Sequence, residues 1–570
     1  MNMRIAVAQL DPVVGAFEEN VKKIKEAYQR ACAEKARVLI TPELGVCGYP
    51  PHDLIDRPEM FERNEKAVAE LLSVTKSKNC ALIVGYVERN ASSVGRAAQN
   101  AIKVLDNGKE VFQQAKTLLP TYDVFDEARY FEPAQSVSTW NCDGRKIAIA
   151  VCEDLWASDP KLGRRLYGKN PVDTYRRNGV SLILSVSASP YEWGKRQRRE
   201  LIHMSVAKDL KAPLVYVNQV GATDEILFDG GSFALDCMGQ VKGQLPIFST
   251  GFAVLDVDVN GDGGIIWKTI SPTPSDKREK ITEIGALSKG LVVGVMEYFA
   301  RTKFSKAIIG LSGGIDSSVV AVLAQQALGA SNVLGVAMPS QYSSPDSLRD
   351  AEKLAKNLGI RFGVKPIKFL FSQASREIAE GHGGLSEISL ENLQSRLRGI
   401  ILMTLANNYS ALVLTTGNKS ELATGYCTLY GDMVGALAPI GDVLKTRVYE
   451  LARFLNSEFD SPIPENCLVR PPTAELKPGQ TDQDTLPPYD KLDELLYEYV
   501  EHGASVAALE ERFVCAGESE SWVRAVLRRL EMNEYKRRQA APVLKISSKA
   551  FGIGRRIPIA KTWDQQTLYL

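Results

Sequence analysis

Between residues 4 and 259 the chain repeats one pattern, a short apolar run followed by a turn or an amphipathic helix. RIAVAQL, ARVLITPE, CALIVGYVE, RKIAIAVCED, VSLILSVSAS, APLVYVNQVG and GFAVLDVDV are such runs. Their brevity and their content of Val and Ile predict buried strands. The segment therefore reads as α/β with a large sheet content. The pattern breaks at SPTPSDKREK, residues 271–280, where two prolines and five charges stand without an apolar residue. Such a composition predicts an exposed linker, giving a first domain over 1–270, a linker over 271–281 and a second domain over 282–570.

Past the linker, predicted strands at 306–311, 332–338 and 411–416 alternate with predicted helices near 282–303, 316–328, 345–358 and 391–408. This is the patterning of a doubly wound α/β sheet. In the last of these helices Leu393, Leu397, Ile401 and Leu405 recur every four residues and predict a buried stripe, while Asn392 and Arg396 share another face. A proline-rich stretch from Pro462 to Pro488 reads as a mobile loop before a charged helical tail.

Composition narrows the function classes. At 570 residues the chain is too long for a single core, and 45% hydrophobic with 24% charged residues describes an ordinary globular protein. Its 69 basic and 68 acidic residues leave no excess positive charge for a nucleic-acid partner. Nine cysteines lie scattered without a CxxC, which argues against zinc knuckles and a disulfide framework and for a reducing compartment. The first apolar stretch stops at Asp11, too short for a secretion signal, and no run reaches the roughly 18 apolar residues of a membrane span. The expectation is a cytoplasmic protein with no membrane partner.

Chemistry concentrates first in IIGLSGGIDSS, Ile308 to Ser318. An apolar strand ends there and a helix begins, so Gly310, Leu311, Ser312, Gly313, Gly314, Ile315, Asp316 and Ser317 form a turn at a helix N-terminus. Unpaired N–H groups and the helix dipole attract phosphate at such a turn, and two glycines let the backbone approach it. Asp316 beside that anion site is a natural Mg²⁺ ligand. The string lacks the Lys of a Walker loop. It resembles instead the SGGxDS loop of the ATP pyrophosphatase family, enzymes that cleave ATP between its α and β phosphates to make an adenylate.

In the first half, strand 36–41 runs into Glu43, strand 147–151 runs into Cys152, and Lys116 lies in QQAKTLLPTYDVFDEARYF. One site built from these three would let Glu43 take the thiol proton and Cys152 attack an amide carbonyl, with Lys116 supplying positive charge to the oxyanion. The cation is also expected to lower the thiol pKa from its usual ~8.5. With only four histidines, none in a Cys/His signature, a histidine-dependent scheme finds no support. TPELGVCGYP, AKTLLPTYDVFDEARYF and VCEDLW together resemble the nitrilase superfamily, whose Glu-Lys-Cys triad hydrolyses amides and nitriles. That resemblance implies a four-layer α-β-β-α sandwich and, by its glutamine-hydrolysing branch, Tyr122, Ser189 and Lys195 as glutamine contacts. The Arg- and Lys-rich segment 157–178 is long beside that pattern.

A nitrilase-type half joined to an ATP pyrophosphatase half resembles the family of glutamine-dependent NAD synthetases, over nearly the full chain. The resemblance implies glutamine, ATP and deamido-NAD as substrates, Mg²⁺ with the ATP, and no redox cofactor. It implies Thr416, Lys445 and Thr473 as further ATP contacts, and Asn392, with Arg396 beside it, Glu421 and Lys536 toward deamido-NAD. It also implies Asp316 and Glu421 on the metal and a homo-oligomer of at least a dimer. Lys445 at a helix start is an unfavourable place for a cation unless phosphate is near.

Overall fold

A computed structural model describes residues 2–157, 166–258, 263–269, 281–381 and 383–562. The expected linker falls outside them except at Ile281, as do residues 158–165 of the long Arg- and Lys-rich segment. The chain divides into two compact units, Met1–Ile281 and Thr282–Leu570.

The first unit is built on two packed sheets. One has seven strands in the order Ile265–Thr269, Gly251–Asp258, Asn2–Gln9, Val38–Ile40, Ala81–Arg89, Ala98–Asp106, Lys109–Ala115. The other has six, in the order Val241–Gln244, Phe233–Leu235, Leu214–Asn218, Leu182–Ser187, Arg145–Val151, Trp140–Cys142. Strand alternation decides which face meets which layer. Ile5 and Val7 of the first sheet meet Ile147, Ile149, Leu184 and Val186 of the second in one dry core. Ala6 and Ala8 turn the other way, onto helices Phe17–Ala33 and Pro58–Val74. Ile183 and Tyr216 turn outward onto the layer that holds helices Pro171–Asn178 and Lys195–Leu210. The expected α-β-β-α sandwich is therefore present.

Within that outer layer His203 is fully buried, its ring 4.8 Å from that of Tyr216, and its Nδ1 donates to the Arg199 carbonyl at 2.8 Å. Burial, helped by the Arg199 guanidinium, holds the imidazole down to about 4. Because the native pKa is depressed, the unfolded chain takes up a proton first as pH falls below ~6.5, and native stability drops. By pH 5 the loss is expected to be on the order of 2 kcal/mol. Urea unfolding at pH 7 and pH 5 should show the native chain losing about 2 kcal/mol more than His203→Gln over that interval.

The second unit carries a four-stranded parallel sheet in the order Arg361–Val364, Val333–Ala337, Ala307–Gly310, Leu412–Leu414. Three of these strands match the predicted runs; Arg361–Val364 and the helix Lys368–Ala379 were not legible in the pattern. The strand order reverses between Ala307–Gly310 and Leu412–Leu414, and such reversals open a crevice at the carboxyl ends of the strands. Helix Glu387–Tyr409 corrects one expectation: Leu393, Leu397, Ile401 and Leu405 are only half-buried. Gln394, Ser395, Gly399, Leu402 and Ala406 form the buried face, because Leu402 and Ala406 are the residues that reach Ile308 and Val413 on the sheet.

Candidate active sites

In the first unit Glu43, Lys116 and Cys152 converge at strand ends, each buried. Glu43 Oε1 accepts from Lys116 Nζ at 2.8 Å and from Asn100 Nδ2 at 2.7 Å, while Oε2 accepts from the Ala188 N–H at 2.8 Å. Lys116 Nζ also donates to Glu127 Oε1 at 2.7 Å, and the Tyr49 hydroxyl donates to the same oxygen at 2.7 Å. Asp154 ties the parts together: its Oδ1 accepts from the N–H groups of Thr117 and Leu118, both at 2.9 Å, and its Oδ2 from Val151 N–H at 3.2 Å. The residues after Lys116 are thus pinned to the turn that carries Cys152. Cys152 itself has φ of 43°, a left-handed conformation that costs a non-glycine residue on the order of 1–3 kcal/mol.

Burial pulls the Lys116 pKa down, but Glu127 and Glu43 outweigh it, and the ammonium stays firmly charged. The thiol behaves contrary to expectation: burial first, then the Glu43 carboxylate, push Cys152 well above its ordinary value, and Lys116 only partly offsets them. Cys152 therefore rests as a thiol, and a base must take its proton. Lys116→Met would strand two buried carboxylates. Denaturant unfolding of the first unit should show a loss of about 3–5 kcal/mol for that variant.

The expected glutamine contacts surround this triad. Tyr122 Oη donates to both oxygens of Glu153, at 3.0 and 3.1 Å, and Tyr167 Oη donates to Glu153 Oε1 at 2.8 Å. Lys195 starts the helix Lys195–Leu210, its Nζ 5.6 Å from the Phe125 ring centre and 5.8 Å from that of Trp156. Ser189 is buried one residue from Ala188, whose N–H holds Glu43. Glu127, Asn100, Glu153, Asp154 and Tyr167 were not singled out in the sequence. Glu153 and Asp154 adjoin Cys152 and carried a signal by position; Asn100 needed the strand pairing, and Glu127 the fold of the segment after Lys116.

In the second unit a cavity of about 600 Å³ opens at the sheet reversal. It is lined by every residue expected at the nucleotide site: Gly310 to Ser317, Thr416, Lys445 and Thr473, together with Asn392, Arg396, Glu421 and Lys536. Gly314 caps the helix Ile315–Leu328, and the Ser317 and Ser318 hydroxyls donate to its carbonyl at 3.0 and 2.8 Å. Gly313 has φ of 78°, and a Cβ there would lie 2.2 Å from the Ser347 carbonyl oxygen, so only glycine fits.

Asp316 lies in the first turn, where Oδ1 accepts from Asn418 Nδ2 at 2.9 Å and Oδ2 pairs with Lys445. Lys445 Nζ also meets Glu421 Oε1 at 3.2 Å. This differs from the expectation for Lys445: two carboxylates, rather than phosphate alone, hold the cation at its helix start. Asn418 and Glu421 form a reciprocal cap on helix Lys419–Thr424, a signature readable in NKSE. Burial pushes the Glu421 carboxyl up, with Lys445 opposing and Asp316 adding to the rise. With Asp316 and Glu421 ionised and Asp482 close by, carboxylates outnumber the ammonium, an arrangement that suits a further cation. Mg²⁺ is typically bound by one or two carboxylates with phosphate and water completing its shell, which this donor set matches. Among the described residues no cluster of three or more His, Cys, Asp or Glu would hold a metal alone.

Asn392 Oδ1 accepts from Thr428 Oγ1 at 2.8 Å, Arg396 Nε donates to the Leu429 carbonyl at 3.2 Å, and Lys536 Nζ donates to the carbonyls of Gly425 and Cys427 at 2.7 and 2.8 Å. All three fasten the 425–429 segment. Thr473 Oγ1 donates to the Gln480 carbonyl, so the proline-rich stretch is internally bonded at the cavity edge. Arg398, missed in the sequence, also lines the cavity and holds the Met338 carbonyl at 3.0 Å.

Comparison with known proteins matches residues 4–262 to the carbon-nitrogen hydrolase family and residues 287–540 to the NAD synthase family. Over 569 residues, 99% of both chains, the chain is 44% identical to a glutamine-dependent NAD(+) synthetase from Synechocystis sp.. It is 38% identical over 600 aligned positions to one from Thermotoga maritima, again covering 99% of each. Among solved structures, a glutamine-dependent NAD+ synthetase from Acinetobacter baumannii in complex with ADP superposes with a TM-score of 0.75 at 36% identity, covering 99% of both chains.

Proposed function

The chain belongs to the glutamine-dependent NAD(+) synthetase family, and from that premise we propose how its residues divide the reaction. The family's activity is carbon–nitrogen ligation: deamido-NAD is amidated to NAD at the expense of ATP, with ammonia from glutamine, and AMP, pyrophosphate and glutamate are released. The first unit is the glutaminase and the second the synthetase. The observation that carries this division is that Glu43, Lys116 and Cys152 meet in one unit while Asp316, Glu421 and Lys445 meet at the phosphate loop of the other.

At the first site Tyr122, Ser189 and Lys195 hold glutamine. Glu43 takes the Cys152 proton, sulfur bonds to the amide carbon, and Lys116 stabilises the oxyanion. Collapse of the tetrahedral adduct breaks the C–N bond as protonated Glu43 gives its proton to the departing nitrogen. Neutral ammonia leaves a thioester, which water, deprotonated by Glu43, hydrolyses to glutamate. Glu127 and Asn100 orient the base and the cation without touching substrate.

At the second site the Gly310–Ser317 turn, Thr416, Lys445 and Thr473 hold ATP, while Asn392, Arg396, Glu421 and Lys536 face deamido-NAD. The nicotinate carboxylate attacks the α-phosphorus, pyrophosphate departs, and ammonia then displaces AMP from the acyl carbon. Asp316 and Glu421 would hold Mg²⁺, which supplies charge neutralisation on the phosphates. The dinucleotide is substrate and product, so the chemistry calls for no redox cofactor.

Purified chain given glutamine, ATP, MgCl₂ and deamido-NAD should yield NAD and AMP in equal amounts; absence of both sinks the reading. Ammonia passes internally in this proposal, so ¹⁵N-ammonium added to the medium during glutamine-driven turnover should leave the NAD product largely unlabelled. Nine free cysteines support action in the reducing cytoplasm. No helix among the described residues is long and apolar enough to cross a membrane. A homo-oligomer of at least two copies is supported by Phe369, Leu370 and Ile378, which stand exposed on one helix of the second unit. Phe369→Glu should lower the mass measured by light scattering at micromolar concentration.

A further inference from the structure

Near Cys152, and used by no step above, a guanidinium and a carboxylate are buried as a pair. Arg199 comes from helix Lys195–Leu210 and Asp229 ends the strand Ile226–Asp229; both are 1% exposed. The contact is two-pronged, with Nη2 to Oδ1 at 3.0 Å and Nη1 to Oδ2 at 3.1 Å. Stability does not account for such a pair, because dehydrating both charges costs about as much as their attraction returns.

The remaining side-chain hydrogen bonds of Arg199 run to one short loop, and its guanidinium lies 5.6 Å from the Tyr216 ring centre. Arg199 Nη2 donates to Ser189 Oγ at 3.3 Å and to the Pro190 carbonyl at 3.5 Å. Asn218 grips the same loop from the other side: its Oδ1 accepts from Ser189 N–H at 2.7 Å and its Nδ2 donates to the Ser189 carbonyl at 3.1 Å. The same Nδ2 lies 3.3 Å from Asp229 Oδ1. The residue before, Ala188, donates its N–H to Glu43. The loop is thus stretched between the catalytic base and the Arg199–Asp229–Asn218 group.

A guanidinium has donors only, so Ser189 Oγ must act as acceptor toward it, and the single proton of that hydroxyl goes either to Tyr216 Oη, the neighbouring hydroxyl, or to a bound ligand. We propose that Arg199, fixed by Asp229, is a positioning residue for substrate selection: it sets the Ser189 hydroxyl as a donor aimed at the α-carboxylate of glutamine. This rests on Ser189 being a glutamine contact.

The test is steady-state glutaminase kinetics of the full chain on glutamine and on 4-aminobutanamide, the same amide without the α-carboxylate, for Ser189→Ala, Arg199→Lys, the double variant and Asp229→Asn. Ammonia-driven NAD synthesis by each variant reports the second unit, and thermal melting reports the first. Ser189→Ala and Arg199→Lys should each raise KM for glutamine roughly 10-fold with kcat little changed, the worth of one hydrogen bond to a charged group. Turnover of 4-aminobutanamide should not move. The double variant should be no worse than the poorer single one, and Asp229→Asn should shift glutamine KM in the same direction. If Ser189→Ala leaves glutamine KM unchanged, the reading of Ser189 fails and the inference falls with it. If Ser189→Ala raises KM but Arg199→Lys does not, or the two effects multiply, only the Arg199 inference is overturned. Equal losses on both amides for Arg199→Lys and Asp229→Asn would mark a purely structural pair and also overturn it.

Discussion

Cys152→Ala is expected to lower glutamine-driven NAD formation by on the order of 10⁴-fold or more, the scale on which removing a covalent nucleophile acts. Ammonia-driven synthesis in the same variant should stay within about 3-fold of the native chain. The reason is local. Cys152 belongs to the first unit and is not among the residues that line the cavity of the second. Its replacement removes one buried sulfur from a left-handed position, a conformation Ala tolerates no worse than Cys. Both rates are read by NAD production with glutamine or with ammonium chloride at saturating ATP. A parallel fall in the ammonia-driven rate, with unchanged melting, would refute independent sites.

Asp316→Asn should damage both routes together, by roughly 10²–10³-fold, because every path to NAD passes through the adenylate. The substitution keeps volume but removes one of the two carboxylates facing Lys445. One negative charge is lost there, and the attraction for a divalent cation falls by several kcal/mol, each 1.36 of which is tenfold in rate. Raising MgCl₂ should recover part of the loss. A variant that kept full ammonia-driven activity would exclude Asp316 from the metal and phosphate chemistry.

Much of the architecture was legible because buried strands announce themselves as short β-branched runs, and the two-sheet core is assembled from those runs. The strand Arg361–Val364 escaped because RFGV is only four residues long and opens on Arg, and half of it faces solvent. The stripe on helix Glu387–Tyr409 was misjudged by one position: leucines at fourfold spacing suggested burial, but Gly399 and Ala406 allow the close approach to neighbouring segments and leave the leucines at its flank. The candidate triad could be located because each member follows a strand or sits in a distinctive run. Asn100, Glu127 and Arg199 could not: Asn100 needs the pairing of distant strands to reach Glu43, and Glu127 and Arg199 need their helices to fold back onto Lys116 and Ser189.

The chain itself fastens the turn proposed to hold phosphate. Ser312 Oγ accepts from the Gly314 N–H at 3.2 Å, Cys467 Sγ donates to the Gly313 carbonyl at 3.3 Å, and Gly313 leaves no room against Ser347. A receptor with so little freedom to surrender loses little conformational entropy on binding. Tight association should therefore show a modest entropic penalty, and discrimination between ATP and other triphosphates has to come from segments outside the loop. In the proposed role the loop would measure phosphate and not adapt to the base.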